Sequence, residues 1–135
     1  METFDTNVVP RIVYRDDPEQ AARAGRAWQK AVDSGGIFLT TTVLIELAWV
    51  LRVAAKWDRG SIASALSRLF DSQGVTVEEE ARVRRAVARF EAGSADFSGP
   101  MVLEAARDAG ALPVVTFDQR FAKDADVDLA AAEGT

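Results

Sequence analysis

The residues in this chain best equipped for chemistry are acidic: Asp5, Glu46 and Asp118, widely spaced and each beside an apolar segment. Carboxylates brought together repel one another, and a cation relieves that repulsion. Cysteine and histidine are absent from all 135 residues. That excludes disulfides, thiolate nucleophiles, Cys/His zinc sites and Ser-His-Asp triads. Any metal would sit among oxygens, which favours magnesium or manganese over zinc or copper. Glu46 is the most informative position. On a helical wheel of about 100° per residue it is surrounded by Val43, Trp49, Val50 and Val53, with Arg52 and Lys56 on the opposite face. A core-facing carboxylate is expected there, and burial would demand a partner. A structural ion pair, or a place near a helix N-terminus, would also account for Glu46. Asp5 and Asp118, each following a strand, fit ordinary turn-forming positions too. The combination, rather than any single acid, points to a metal.

Alternating helices and short apolar strands must position these residues. Thr3-Phe4-Asp5 reads as the end of a first strand. Asp17-Pro18-Glu19-Gln20 supplies a cap, a first-turn proline and a Gln for a helix from Pro18 to about Val32, ended by Gly35-Gly36. Ile37 to Leu39 reads as a buried strand. Thr40 to Thr42 offers caps for a helix from Val43 to about Lys56, and another helix follows near Ser61 to Phe70. Val75 to Val77 is a candidate strand, Glu78 to Phe90 a helix stopped by Gly93, and Pro100 opens a helix ending at Gly110. Pro113 to Phe117 is the clearest strand, and a last one is expected near Val127 to Leu129. This order predicts an α/β sandwich: a short, mostly parallel central sheet, covered by helices on both faces. Ligands of such sheets bind beyond the carboxyl ends of the strands, where Asp5 and Asp118 are expected.

Composition sets the remaining bounds. A chain of 14.6 kDa with 48% apolar and 27% charged residues is expected to form a single domain over residues 1–135. The net charge of -5 argues against a phosphate-rich partner at first sight. Four acids, however, lie in the acidic C-terminal segment 124–135, leaving 17 acids against all 16 basic residues in the body. Val43 to Ala55, the longest apolar stretch, is too short for a membrane span, and Met1 to Asn7 does not resemble an export signal. A cytoplasmic, membrane-free protein is expected. Arg82, Arg85 and Arg89 share one helix face and suit either phosphates or, preferably, pairing with Glu78 to Glu80. Trp28, Trp49 and Trp57 are read as core or interface residues.

Four segments, in order along the whole chain, resemble motifs of the PIN-domain ribonucleases, in particular the VapC-like toxins of bacterial toxin-antitoxin pairs. They are Asp5-Thr6-Asn7 with Arg15 to Ala21 behind it, Ile45 to Leu51 around Glu46, Ala95-Asp96-Phe97, and Val115 to Phe121 around Asp118. The resemblance implies a three-layer PIN-like sandwich and a magnesium- or manganese-dependent endoribonuclease acting on RNA. It further implies a homodimer held inactive by a cognate antitoxin. Asp5, Glu46 and Asp118 match acidic site residues, Asn7 and Thr116 the polar residues beside them. One position departs from the pattern: Gly99 stands where the family's second aspartate of Asp-Phe-Ala-Asp normally faces the metal. Asp96, three residues upstream, is the candidate replacement ligand, and Glu104 the weaker one. The departure keeps open a domain that binds RNA or an antitoxin without cleaving. A phosphatase-like domain with Asp5 as nucleophile is the third reading, and it leaves Glu46 without a role.

Overall fold

A computed structural model describes residues 1–130, and Glu133 with the end of the acidic segment lies outside the described residues. The chain forms two compact units, Met1–Glu80 and Ala81 onward. In the first, strands β1 (Glu2–Thr3), β2 (Ile37–Leu39) and β3 (Val75–Val77) pair in parallel in that order, with Thr3 beside Phe38 and Leu39 beside Val77. Around them run helices α1 (Val9–Val13), α2 (Pro18–Asp33), α3 (Thr41–Val53) and α4 (Arg59–Phe70). The second unit contains α5 (Glu80–Ala92), whose first residue belongs to the first unit, α6 (Ser98–Asp108), and the parallel pair β4 (Val114–Thr116) and β5 (Val127–Leu129). Every strand pairing is parallel, as the α/β reading requires. Among the described residues no helix is long and apolar enough to cross a membrane.

Local chemistry sets the helix boundaries. Asp17 Oδ1 accepts from the amides of Glu19 and Gln20, and Pro18 occupies the first turn, where its missing N–H costs nothing. Asp58 caps α4 through the Ser61 amide, and that bond holds the Asp58 carboxyl below the usual aspartate range. The helix α3 starts at Thr41 rather than Val43, because Thr40 Oγ1 accepts from the Val43 amide. It ends before Lys56, which takes a left-handed φ of 59° that a helix cannot continue. For the same reason α5 begins at Glu80: Glu79 has φ 51°. The five-residue α1 was not expected; its β-branched Val8-Val9 and Ile12-Val13 read locally as strand, and only one turn forms.

The first unit buries Val9, Ile37, Leu39, Leu44, Leu47, Leu51, Ile62 and Leu66. Trp28 and Trp57 are half-buried and stand edge-on to Phe4 and Tyr14. In the second unit Ala95, Leu103, Phe121 and Val127 form a cluster on which Val114 packs, and Phe90 meets Phe97 edge-to-face at 5.8 Å. Coverage of the strands is uneven. Ile37 and Leu39 are buried, whereas Val115 and Phe117, within the segment read from sequence as the clearest strand, are 66% and 86% exposed.

Candidate acidic site

Asp5 follows β1 in a tight turn into α1, its carbonyl accepting from the amides of Val8 and Val9. Its Oδ1 accepts from the Thr6 amide at 2.7 Å and from the Thr6 hydroxyl at 3.3 Å. The turn-forming role is therefore real, and it occupies one oxygen. Among the described residues Oδ2 has no hydrogen bond. Asp118 repeats the arrangement two residues beyond β4. Its amide donates to Thr116 Oγ1, and its Oδ1 accepts from the amides of Arg120 and Phe121, capping a short 3-10 turn at Phe121–Lys123. Both aspartates are exposed.

Glu46 overturns the sequence expectation about its surroundings. It is exposed, not core-facing, and among the described residues it has neither ion pair nor hydrogen bond. The buried stripe of α3 is Val43, Leu44, Leu47, Ala48 and Leu51. Thr42, Glu46, Trp49 and Val53 form the opposite stripe; Trp49 is 54% exposed and is no core residue, while Arg52, expected toward solvent, is half-buried. Both faces of α3 are apolar, so periodicity alone chose the wrong one.

Within the first unit Asp5 and Glu46 line one open cleft, together with Thr6, Thr40, Thr42 and Val43. Within the second, Asp96, Gly99, Thr116 and Asp118 line another, backed by Phe121 and Val102. The acids singled out from sequence thus fall into two pairs, one per unit. Asn7, though two residues from Asp5, lines a different groove with Arg11, Gln20 and Arg23. Gly99 contributes only backbone to its cleft. A Cβ there would meet the Phe121 ring at 3.2 Å and Ala95 Cβ at 3.3 Å, so a side chain requires Phe121 to give way slightly.

Glu104 is no replacement ligand. It is 1% exposed. Its Oε1 accepts from Arg85 Nε at 2.8 Å, its Oε2 from Arg89 Nε, and Arg107 Nε stands 3.7 Å away. Burial would raise the Glu104 carboxyl, but hydrogen bonds from Arg85 and Arg89 and the charges of Arg89 and Arg107 outweigh it and hold the carboxyl below the usual range. The hydrogen bond to Glu104 likewise raises the Arg85 guanidinium. Asp108, bonded first by Arg82 at 2.8 Å and also by Arg85, is held low as well. The arginine face of α5 is therefore engaged by Glu104 and Asp108 of α6.

Sequence reasoning missed Glu78, which it placed in the first turn of the following helix. Glu78 Oε1 accepts from the Thr41 amide at 2.8 Å and the Thr41 hydroxyl at 3.1 Å, clamping the N-terminus of the helix that carries Glu46. The contact spans 37 residues, and no local pattern announces it.

As to metal, neither unit gathers three acidic side chains within a metal's reach among the described residues. Two carboxylates with unengaged oxygens beside threonine hydroxyls do suit a hard cation. Magnesium is commonly held by one or two carboxylates with water filling the remaining positions.

The model of the PIN domain family matches residues 3–126, spanning both units, and the chain belongs to that family. PIN domains are typically nucleases that act on RNA, usually with divalent metal ions. No curated protein and no solved structure matches the chain.

Proposed function

We propose that this protein is a metal-dependent endoribonuclease, the VapC-like toxin of a toxin-antitoxin pair, built as one PIN-like domain over residues 1–135 and working in the cytoplasm. The observation that carries the reading is the cleft lined by Asp5 and Glu46, where a glutamate without a partner among the described residues stands on a largely apolar helix. Asp5, Asp96 and Asp118 are the proposed ligands of magnesium or manganese. Bound there, the cation would supply Lewis-acid chemistry, stabilising charge on phosphoryl and leaving oxygens and making water acidic. The chain's own contribution is placement. Glu46 accepts a hydrogen bond from the attacking water and orients it toward the phosphorus. The turn around Asp5 and the one around Asp118 each fix a carboxylate through Oδ1, leaving Oδ2 for the site. Thr116 holds the Asp118 loop, and Asn7 holds RNA beside the cleft. A homodimer and an antitoxin that silences the enzyme complete the proposal.

The test is RNA degradation by purified protein with manganese. Asp5→Asn is expected to lower the rate by about 10²-fold or more, a typical cost of removing a group that acts on the transition state; undiminished activity would sink the metal-site assignment. The second reading, binding without cleavage, is favoured by Gly99, which stands where the family's pattern has an aspartate and leaves its cleft with Asp96 and Asp118 as its acids. Under that reading the protein leaves RNA uncut, and Gly99→Asp restores manganese binding by calorimetry once Phe121 accommodates the side chain. No gain in binding would mean that Asp96 already fills the role.

A further inference from the structure

The groove between α1 and α2, lined by Asn7, Arg11, Gln20 and Arg23, has no part in the clefts that hold the acids. We infer that this groove is a phosphate-binding track for single-stranded RNA leaving the Asp5–Glu46 cleft, with Arg23 as its principal contact. The inference rests on the nuclease reading for the identity of its ligand.

Three observations support it. The first is continuity. Asp5 and Thr6 line the acidic cleft, Asn7 and Val8 line the groove, so one turn of chain is the wall shared by both. A strand seated in the cleft needs only to cross that turn to enter the groove. The second is charge. Arg23 is exposed, and among the described residues it has neither ion pair nor hydrogen bond. Arg82, Arg85 and Arg89 of α5, by contrast, are engaged by Glu104 and Asp108. In a body with nearly balanced charge, phosphate binding must come from cations left unpaired, and Arg23, Arg26 and Lys30 recur at i, i+3 and i+7 along one face of α2. The third is the state of the nearby acids. Asp16 is tied to Arg11 Nη1 at 2.6 Å, and Asp17 is spent on the amides of Glu19 and Gln20. Both carboxylates are engaged, and Glu19, the exposed acid of this turn with no partner among the described residues, is not among the residues that line the groove. Asn7 and Gln20 add amide groups able to meet bases or ribose hydroxyls.

An arginine was chosen over lysine for this role in many phosphate sites because its planar fork meets two oxygens at once. Neither acidic peptide nor protein is needed to account for the groove, although an acidic partner segment is the alternative occupant.

The test uses the full chain in EDTA, so that binding is read without cleavage. Fluorescence anisotropy with a short labelled single-stranded RNA is measured across a salt series for the unaltered protein, Arg23→Ala and Arg68→Ala. Arg68 is an exposed cation lining a different cleft and controls for simple loss of charge. Arg23→Ala is expected to weaken Kd by about tenfold, as for a charge-assisted hydrogen bond. It should also flatten the plot of log Kd against log salt by about 0.7, the value of one single-strand phosphate contact. Arg68→Ala should do neither. Unchanged affinity and slope for Arg23→Ala, an equal loss for Arg68→Ala, or no RNA binding by the unaltered protein would each overturn the inference. So would an Arg23→Ala protein that binds RNA normally but loses affinity for an acidic peptide. Cleavage with manganese reports separately. Cleavage with a silent Arg23 removes only the groove, and an Arg23 effect without cleavage removes only the nuclease reading.

Discussion

Two glutamates on apolar helices, Glu46 in the first unit and Glu104 in the second, show opposite solutions to the same local pattern. Glu104 is buried and surrounded by Arg85, Arg89 and Arg107. Glu46 is exposed beside Trp49 and Val53 and pairs with nothing among the described residues. A buried charge survives only when its hydrogen-bonding capacity is filled, so Glu104 must be structural. An exposed carboxylate without a partner among the described residues adds little to folding, and in the proposed function its place is at the mouth of the cleft. The acid that sequence reading judged core-facing is the available one, and the acid given little weight is the buried one.

Stability measurements separate the two most sharply. Glu104→Ala is expected to cost roughly 2–3 kcal/mol in urea unfolding. That is below the cost of stranding a fully buried charge, because the arginines left behind are a third or more exposed and can turn to water. Glu46→Ala should change stability by less than about 0.5 kcal/mol while lowering RNA cleavage. A large stability loss from Glu46→Ala would erase the distinction.

Smaller is the loss from the cap that seats the Glu46 helix. Thr40→Ala should destabilise the protein by about 1 kcal/mol, read as a shift of the urea midpoint. If the Thr40 variant also loses cleavage beyond that shift, the start of α3 matters to the cleft as well as to folding.

The smallest effect is on pH dependence. The Glu104 and Asp108 carboxyls sit below their ordinary values in the folded chain. A group with a depressed folded pKa contributes its full stability above the unfolded pKa, about 4 for carboxylates, and loses it as pH falls through the lower folded value. Stability should therefore decline on acidification below about pH 4, and Glu104→Gln should flatten that decline. An unchanged acid limb would mean that other carboxylates govern it.

Much of the fold was legible because its signals are local. The Asp17-Pro18 cap, the threonines before α3 and the apolar run before Asp118 each act within a few residues, and the elements appear where those signals stand. The candidate acids were legible by residue type and order. Their partners were not. Glu78 reaches Thr41 across 37 positions and Arg85 reaches Glu104 across 19, separations that carry no periodic trace. The short α1 also escaped notice, since a single turn of β-branched residues has no helical signature of its own.

The sequence by itself determined the α/β order, the oxygen-only chemistry and the family, because these follow from residue types and their succession. Tertiary structure alone decided that Glu46 is exposed and Glu104 enclosed. The two faces of α3 are both apolar, and only packing against neighbouring helices and strands chooses which of them leaves water.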